Sequence, residues 1–256
     1  MNSGDRARGG TFIASVLVMA GLAGCVEQPV PQPPPPPSVN PVPSALPDDP
    51  QALMTTIRGL AEQAGVGDDI RQGEIETGEA RYEPCDLLIA EPNRAQGGGL
   101  PLDAVWAASL EVNPMSSFGS IGRPTTVLDV RVARLPDAAA AGAAATTVRT
   151  ARCPGGEFRL VIGQASARWA ARTVPIGSTS ARLTTATVDR VDPGIEAGMT
   201  YLPGDARLIF AHGPLLISVE ALTLWPRKLS SAAEITAMAK EEATTLAAAI
   251  VRTLPA

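Results

Sequence analysis

Few side chains in this sequence have the chemistry that catalysis or metal binding requires. The 256-residue chain has one histidine, His212, and three cysteines, Cys25, Cys85 and Cys153. Histidine is the usual group for proton transfer near neutral pH, but His212 stands in a predicted hairpin turn with no nucleophile motif nearby. We therefore predict that the chain has no catalytic residue and that His212 is a satisfied or exposed turn histidine.

The patterns that could bind a metal or a phosphate are incomplete. A tetrahedral zinc site built on Cys85 and Cys153 would need two further ligands, and His212 could supply only one of them. The acidic run from Gly67 to Glu79 lacks the regular spacing of oxygen ligands that calcium loops have. Gly97-Gly98-Gly99 is not followed by the Gly-Lys-Ser/Thr of a phosphate loop. We predict no metal site and no cofactor.

Residues 1–24 have the composition of an export signal. Two arginines near the start precede an apolar run from Thr11 to Ala23, which is shorter than the roughly 20 residues of a membrane-spanning helix. Leu22-Ala23-Gly24-Cys25 resembles the lipobox of bacterial lipoproteins. That resemblance implies signal cleavage between Gly24 and Cys25 and a palmitate-bearing lipid anchor on Cys25 at the extracytoplasmic face of the cell membrane. A plain secretory signal with an incidental cysteine is the alternative.

Residues 25–49 are rich in proline, with five consecutive prolines from Pro33 to Pro37. Proline fixes its own backbone angle and extends its predecessor, so this segment is predicted to be a stiff tether of about 3.1 Å per residue. A proline-rich docking ligand is the competing interpretation.

Two cysteines remain for the folded part once Cys25 is assigned to the lipid. An even number of cysteines in an exported domain favours a disulfide bond, since the compartment is oxidising. We therefore predict a disulfide between Cys85 and Cys153.

Composition excludes several classes of protein. Apolar residues make up 45% of the chain, enough for a sizeable core. The 26 acidic and 21 basic residues give a net charge of -5, which argues against nucleic-acid binding because phosphates require a basic surface. Residues 50–256 have the composition of one globular domain.

The pattern of residues in this domain predicts both helices and strands. Asp49 and Pro50 begin an amphipathic helix that ends before Gly65. The segment from Gly67 to Glu79 is predicted as a solvated acidic loop. From Thr125 to Leu135, apolar and polar residues alternate as in a strand that is buried on one face. Asp137 then begins an alanine-rich helix that runs toward Cys153.

The second half is predicted to be rich in strands. Strand-like segments cover Phe158–Gly163, Ala167–Ile176 and Arg182–Val188, and a hairpin turns at His212. Ser231 begins a final amphipathic helix with a capping box. The fold class predicted is α+β, an antiparallel sheet with helices packed on one side. Core packing is favoured over cleft lining for the three tryptophans, Trp106, Trp169 and Trp225.

The order of these elements carries a resemblance. Cys85 follows the opening helix, a valine-rich strand runs into Leu135-Pro136-Asp137-Ala138-Ala139, a helix ends at Arg152-Cys153, and the long last helix starts at Ser231. Residues 50–254 are similar in this layout to the extracellular sensor domain of PknH-type receptor kinases, a module that also occurs on actinobacterial lipoproteins. The resemblance implies an antiparallel sheet packed against helices, a cleft for an unknown ligand and no catalysis.

The function predicted is a membrane-anchored extracytoplasmic lipoprotein with a non-catalytic sensor or ligand-binding domain. Its predicted partners are the membrane, through the lipid anchor, and an unknown small molecule, lipid or envelope protein. The alternative is an envelope carrier of lipids or glycolipids, which requires a large apolar cavity where a sensor requires only an open cleft of mixed polarity. A hydrolase ranks third.

Overall fold

The computed structural model describes residues 45–65, 69–85, 87–88, 99–113, 125–152, 157–159, 165–191, 201–226 and 231–256. The chain divides into two units, Met1–Asn40 and Pro41–Ala256. The predicted signal, the lipid attachment at Cys25 and most of the tether lie outside the described residues, as does Cys153. None of the helices in the described part is both long enough and apolar enough to cross a bilayer.

The described residues form three helices and one sheet of eight strands. The elements are α1 (Pro50–Gln63), β1 (Ile70–Tyr82), β2 (Leu100–Val112), β3 (Thr125–Arg134), α2 (Ala138–Thr150), β4 (Glu157–Arg159), β5 (Ala165–Ile176), β6 (Thr179–Val191), β7 (Tyr201–His212), β8 (Leu215–Pro226) and α3 (Ala232–Thr253). The strands lie in the order β1-β2-β3-β8-β7-β6-β5-β4, and every neighbouring pair is antiparallel. The predicted α+β class and antiparallel sheet are confirmed.

Each helix begins at a side chain that accepts hydrogen bonds from the free amides of the first turn. Asp49 does so for α1, Asp137 for α2 and Ser231 for α3. Glu234 completes the capping box of α3, since its carboxylate accepts from the Ser231 backbone N–H at 2.7 Å. The three predicted helix starts are therefore confirmed.

One face of the sheet, which we call the apolar face, is covered by α1 and α3. Leu208 and Phe210 of β7 and Ile217 of β8 are fully buried there, in an apolar cluster that also contains residues of both helices. The sheet and α3 approach closely at Gly204, where a Cβ atom would lie 2.5 Å from the Thr236 backbone nitrogen. The absence of a side chain at this position therefore allows α3 to pack directly on β7.

The opposite face, which we call the polar face, carries α2. Helix α2 packs on Ile209 and Leu216, which alternate along β7 and β8 with the residues of the apolar face. The predicted placement of the helices on one side is therefore corrected for α2. The helix buries mainly alanines, such as Ala141 and Ala145. A narrow apolar stripe of this kind shows that a helix packs on the sheet, but it does not show on which face of the sheet the helix lies.

The buried guanidinium of Arg182 fixes the end of α2. Its Nη1 donates to the carbonyl oxygens of Val148, Arg149 and Ala151 at 2.9, 3.1 and 2.8 Å. These carbonyls belong to the last turn, where a helix leaves acceptors unsatisfied. Arg182 thus joins β6 to α2 and places a positive charge at the negative end of the helix dipole.

The solvated acidic loop predicted from Gly67 to Glu79 is wrong from Ile70 onward, because β1 occupies Ile70–Tyr82. Among the described strands, β1 is the first of the sheet and pairs with β2 alone, and its charged residues Arg71 and Glu76 are exposed. Charged side chains are common on edge strands, where they prevent pairing with other chains. A charge-rich edge strand therefore resembles a loop in composition.

Two bulges bend the β1–β2 pair. One lies between Gln72 and Ile75, and the other lets the four residues of β2 from Ala104 to Ala107 oppose the three residues of β1 from Glu76 to Gly78. An extra residue in a strand reverses which face the following side chains occupy. Beyond the second bulge Tyr82 packs with α2 on the polar face.

Candidate functional site

A row of charged residues crosses the polar face at one level of the sheet. In the strand register, Arg71 lies opposite Glu111, Glu111 opposite Asp129, Asp129 opposite Glu220, and Glu220 opposite Arg207. Three carboxylates therefore lie on adjacent strands between two arginines. Like charges at directly opposed positions repel, so this row needs compensating contacts.

Arg207 and Glu220 form a buried ion pair at one end of the row. Their side chains are 7% and 1% exposed, and Arg207 Nε donates to Glu220 Oε2 at 2.7 Å. Burial raises the pKa of the Glu220 carboxyl, and the Arg207 charge opposes that shift. A charge pair this deep is stabilising only when its remaining hydrogen-bonding atoms also have partners.

Those partners come from the chain after β1, whose described residues 83–85 and 87–88 we call the strap. Arg207 Nη1 donates to the Glu83 carbonyl oxygen at 2.8 Å, and Glu220 Oε1 accepts from the Leu88 backbone N–H. Leu87 is buried in an apolar cluster that includes residues of β3, β6 and β8. The ion pair and Leu87 together fasten the strap to the polar face.

The strap also contains Cys85, which is buried and takes part in a disulfide bond. Its partner lies outside the described residues. The pairing of Cys85 with Cys153 therefore stays a prediction.

A solvent-open groove lies beside the strap, over β1, β2 and β3. It consists of two adjoining cavities of about 240 and 470 Å³, both of which are lined by Ser109, Asp129 and Arg131. Arg131 Nε donates to Asp129 Oδ2 at 2.8 Å; the Arg131 side chain is 50% exposed and that of Asp129 only 12%. Asp129 thus holds an arginine whose outer part faces solvent.

The walls of the groove are fixed by packing and by hydrogen bonds. The buried Tyr82 hydroxyl lies 3.0 Å from the Arg131 carbonyl oxygen and 3.1 Å from that of Leu216. Burial raises the pKa of Tyr82, so its hydroxyl stays protonated and can donate. Gly73 packs so closely against Ser109 that a Cβ at Gly73 would collide with the Ser109 hydroxyl. Leu88 of the strap lines the larger cavity.

Charges of both signs line the groove. Arg71 and Glu111 border the larger cavity, and Arg81 and Glu76 border the smaller one. Among the residues that the structure describes, the Glu111 carboxylate has no ion-pair partner. The same residues contain no group of three or more metal-ligating side chains. The groove can therefore offer a ligand an arginine, a carboxylate and the hydroxyl of Ser109.

His212 does not reach this groove. It is the last residue of β7, and its Nε2 lies 2.8 Å from the Leu254 carbonyl oxygen, beyond the end of α3. With 7% exposure, its ring is a buried group with a hydrogen-bond partner. Of the two predicted states, satisfied or exposed, the satisfied one is confirmed, but His212 ends strand β7 and the turn is formed by the two residues that follow it.

The tryptophans agree with the preference for core packing. Trp106 is buried on the apolar face, where its Nε1 donates to the Asp48 carbonyl oxygen at 3.2 Å. Trp169 and Trp225 are half-buried and pack against the apolar cluster that contains Leu87. None of the three belongs to the described lining of the groove.

Sequence reasoning did not find the groove. The alternation from Thr125 to Leu135 predicts only that Asp129 and Arg131 lie on the polar side of a strand, and no predicted element covers β2, which supplies Ser109 and Glu111. A sequence signal is present, because every second residue of β2 from Leu102 to Val112 is apolar.

Comparisons with known proteins add a weak similarity. No protein-family model matches the chain, and no curated protein matches it. Among solved structures, the chain is similar to the extracellular domain of PknH from Mycobacterium tuberculosis, with 12% sequence identity and a TM-score of 0.42 over 77% of this chain and 89% of that one. At this level the similarity does not establish kinship, and the resemblance inferred from the sequence stays a prediction.

Proposed function

We propose that this protein is an extracytoplasmic lipoprotein, anchored through Cys25, whose folded domain binds a small ligand in the groove and catalyses no reaction. The observation that carries the ligand-binding proposal is the Arg131–Asp129 pair, in which a sheltered carboxylate orients a half-exposed arginine in a cavity of about 470 Å³. That volume lies within the range of about 300–1,000 Å³ typical of small-molecule sites.

The non-catalytic part of the proposal rests on the side chains at the groove. The histidine lies elsewhere, and both oxygens of Glu220 already accept hydrogen bonds from Arg207 and Leu88. A general acid or base must instead reach the proton that it transfers. These groups serve to hold the sheet and the strap together.

The groove favours a sensor or binding module over the alternative of a lipid carrier. A carrier of acyl chains requires an apolar lining, whereas this groove exposes arginine, glutamate, aspartate and serine. No observation on the described residues independently supports the carrier.

Native mass spectrometry of the full chain, purified in mild detergent, tests ligand binding. We expect a co-purifying small molecule that is lost in Ser109→Trp, which fills the groove, and retained in Arg172→Trp, which adds the same bulk at an exposed position on β5. Retention in both variants would contradict binding in the groove. A retained acyl lipid that is insensitive to Ser109→Trp would favour the carrier.

Anchoring is tested separately. Cys25→Ala should release the protein from membrane pellets or leave it unprocessed, because the thiol that takes the lipid is gone. Acyl labelling that persists in Cys25→Ala would rule out the proposed anchor.

A further inference from the structure

Resting on the proposed function, we infer that the groove takes a small zwitterion, a molecule with a free ammonium group and a free carboxylate, as amino acids and short peptides have. The inference depends on three described residues on the polar face: Arg131, Glu111 and Ser109. Each lines the larger cavity.

Arg131 supplies the anion-binding half. Its Nε is bonded to Asp129, but Nη1 and Nη2 have no partner among the described residues. A guanidinium presents its donors in a planar fork that matches both oxygens of a carboxylate. Because Asp129 already holds one edge of the guanidinium, the outer nitrogens remain for a ligand.

Glu111 supplies the cation-binding half. Its carboxylate is partly exposed and lies opposite Asp129 on the neighbouring strand. Asp129 is engaged by Arg131, and the guanidinium of Arg71 is bonded to Asp69 at 3.2 Å. A ligand ammonium group would therefore meet a carboxylate that forms no ion pair with a described side chain.

The register sets the distance between the two halves. Arg131 pairs directly with Ser109, and Glu111 is two residues from Ser109 on the same face of β2. Such diagonal neighbours on adjacent strands are about 7–8 Å apart. A small zwitterion has its two charged ends a few ångströms apart and fits this diagonal, beside Ser109, which lines the same cavity.

Other ligand classes fit less well. Glu76, Glu111 and Asp129 balance Arg71, Arg81 and Arg131 along the groove, so a polyanion would meet as much repulsion as attraction.

The test uses L-alanyl-L-alanine, its N-acetyl form, which lacks the ammonium group, and its C-terminal amide, which lacks the carboxylate. We expect the free dipeptide to shift the backbone amide NMR signals of Ser109, Glu111 and Arg131. Each blocked form should bind at least about tenfold more weakly, which corresponds to about 1.4 kcal/mol. Free alanine in a parallel titration distinguishes an amino-acid ligand from a peptide.

Two variants assign each charge. Arg131→Gln should bind the free dipeptide no more tightly than its amide, and Glu111→Gln no more tightly than its N-acetyl form. Arg58→Gln and Glu62→Gln on α1 are matched controls, since both side chains are 53% exposed, and they should bind like the wild type.

The inference is overturned if neither alanine nor the dipeptide binds, if the blocked forms bind as well as the free one, or if the Arg131 and Glu111 variants behave like the controls. These outcomes leave the proposed function standing whenever the full chain still retains another ligand that Ser109→Trp removes. If the dipeptide does not bind and the full chain also retains no ligand that Ser109→Trp removes, the proposed function is contradicted as well.

Discussion

The two faces of one strand, β7, experience opposite environments in this sheet. On the apolar face, Phe210 of β7 is fully buried in the apolar cluster under α1 and α3, where only dispersion and the hydrophobic effect act. On the polar face, Arg207 of the same strand is almost as buried, yet it is charged and needs Glu220 and the Glu83 carbonyl as partners. The apolar face depends on volume and shape, whereas the polar face depends on a complete set of hydrogen bonds.

The largest loss of stability on the polar face is expected from substitution of Glu220. Glu220→Ala leaves the Arg207 charge buried without its partner, and we expect a loss of about 3–5 kcal/mol in the free energy of unfolding. Combining Arg207→Met with Glu220→Leu should be less destabilising than Glu220→Ala, because no charge remains to be buried. Urea unfolding measures both changes.

Phe210→Ala is the matched experiment on the apolar face, with an expected loss of about 3–5 kcal/mol from a cavity. Hydrogen exchange separates the two faces. The Leu88 amide should exchange faster in Glu220→Ala, because it loses its acceptor, and should stay protected in Phe210→Ala. A Glu220→Ala loss below about 1 kcal/mol would contradict the role given to the ion pair.

Loss of the disulfide bond that fastens the strap is expected to have the next largest effect on the free energy of unfolding. If Cys85 pairs with Cys153, the bond closes a loop of about 68 residues, and Cys85→Ser should cost up to about 4 kcal/mol. Cys153→Ser should show the same loss, and a reductant should bring the wild type to the level of both variants. Cys25→Ser is the control and should unfold like the wild type. Unequal losses in Cys85→Ser and Cys153→Ser would contradict the pairing.

A smaller effect is expected where the polar face holds α2. Arg182→Ala removes the donor that three helix-end carbonyls share, of which Val148 keeps the Ala151 N–H at 3.3 Å, and we expect a loss of about 1–3 kcal/mol. Arg172→Ala, an exposed arginine on the neighbouring strand, should change stability by less than about 0.5 kcal/mol. Equal midpoints of urea unfolding for the two variants would show that Arg182 does not hold the helix.

The smallest effect is expected at the start of α3. Hydrogen bonds from the Ser231 backbone and hydroxyl lower the pKa of Glu234. A carboxyl whose pKa is lower in the folded state adds stability above its unfolded value of about 4.3. That stability is lost as the pH falls through the folded pKa. Glu234→Gln should therefore lower the Tm slightly at pH 7 and not at all below the folded pKa. A constant difference between the two proteins at every pH would show that charge plays no part.

The sequence predicted the elements whose signals are local. Each helix is predicted by its N-cap residue, whose side chain accepts hydrogen bonds from the next free amides: Asp49, Asp137 and Ser231. The alternation of apolar and polar residues predicts β3. These patterns depend only on neighbours a few positions away, so one sequence is sufficient to read them.

The groove could not be predicted, because it depends on register. Glu111, Asp129 and Glu220 are far apart in sequence and meet only after three strands have paired. The bulge in β2 between Ala104 and Ala107 then changes the face on which residues lie, and no turn or glycine in β2 marks it. Strand β1 was not predicted either, because its many charged residues, which are typical of an edge strand, give it the composition of a loop.

The turn between β7 and β8 brings together the two ends of the described domain. A Cβ at Gly213 would lie 3.0 Å from the carbonyl carbon of Ala256 and 3.3 Å from Leu46 Cδ1. Domains with neighbouring ends tolerate circular permutation and insertion into other proteins. A short linker from Ala256 to Leu46, with new ends opened at the exposed Gly177 turn, should leave both faces of the sheet intact. The domain could likewise be carried within a surface loop of a host protein without forcing that loop apart.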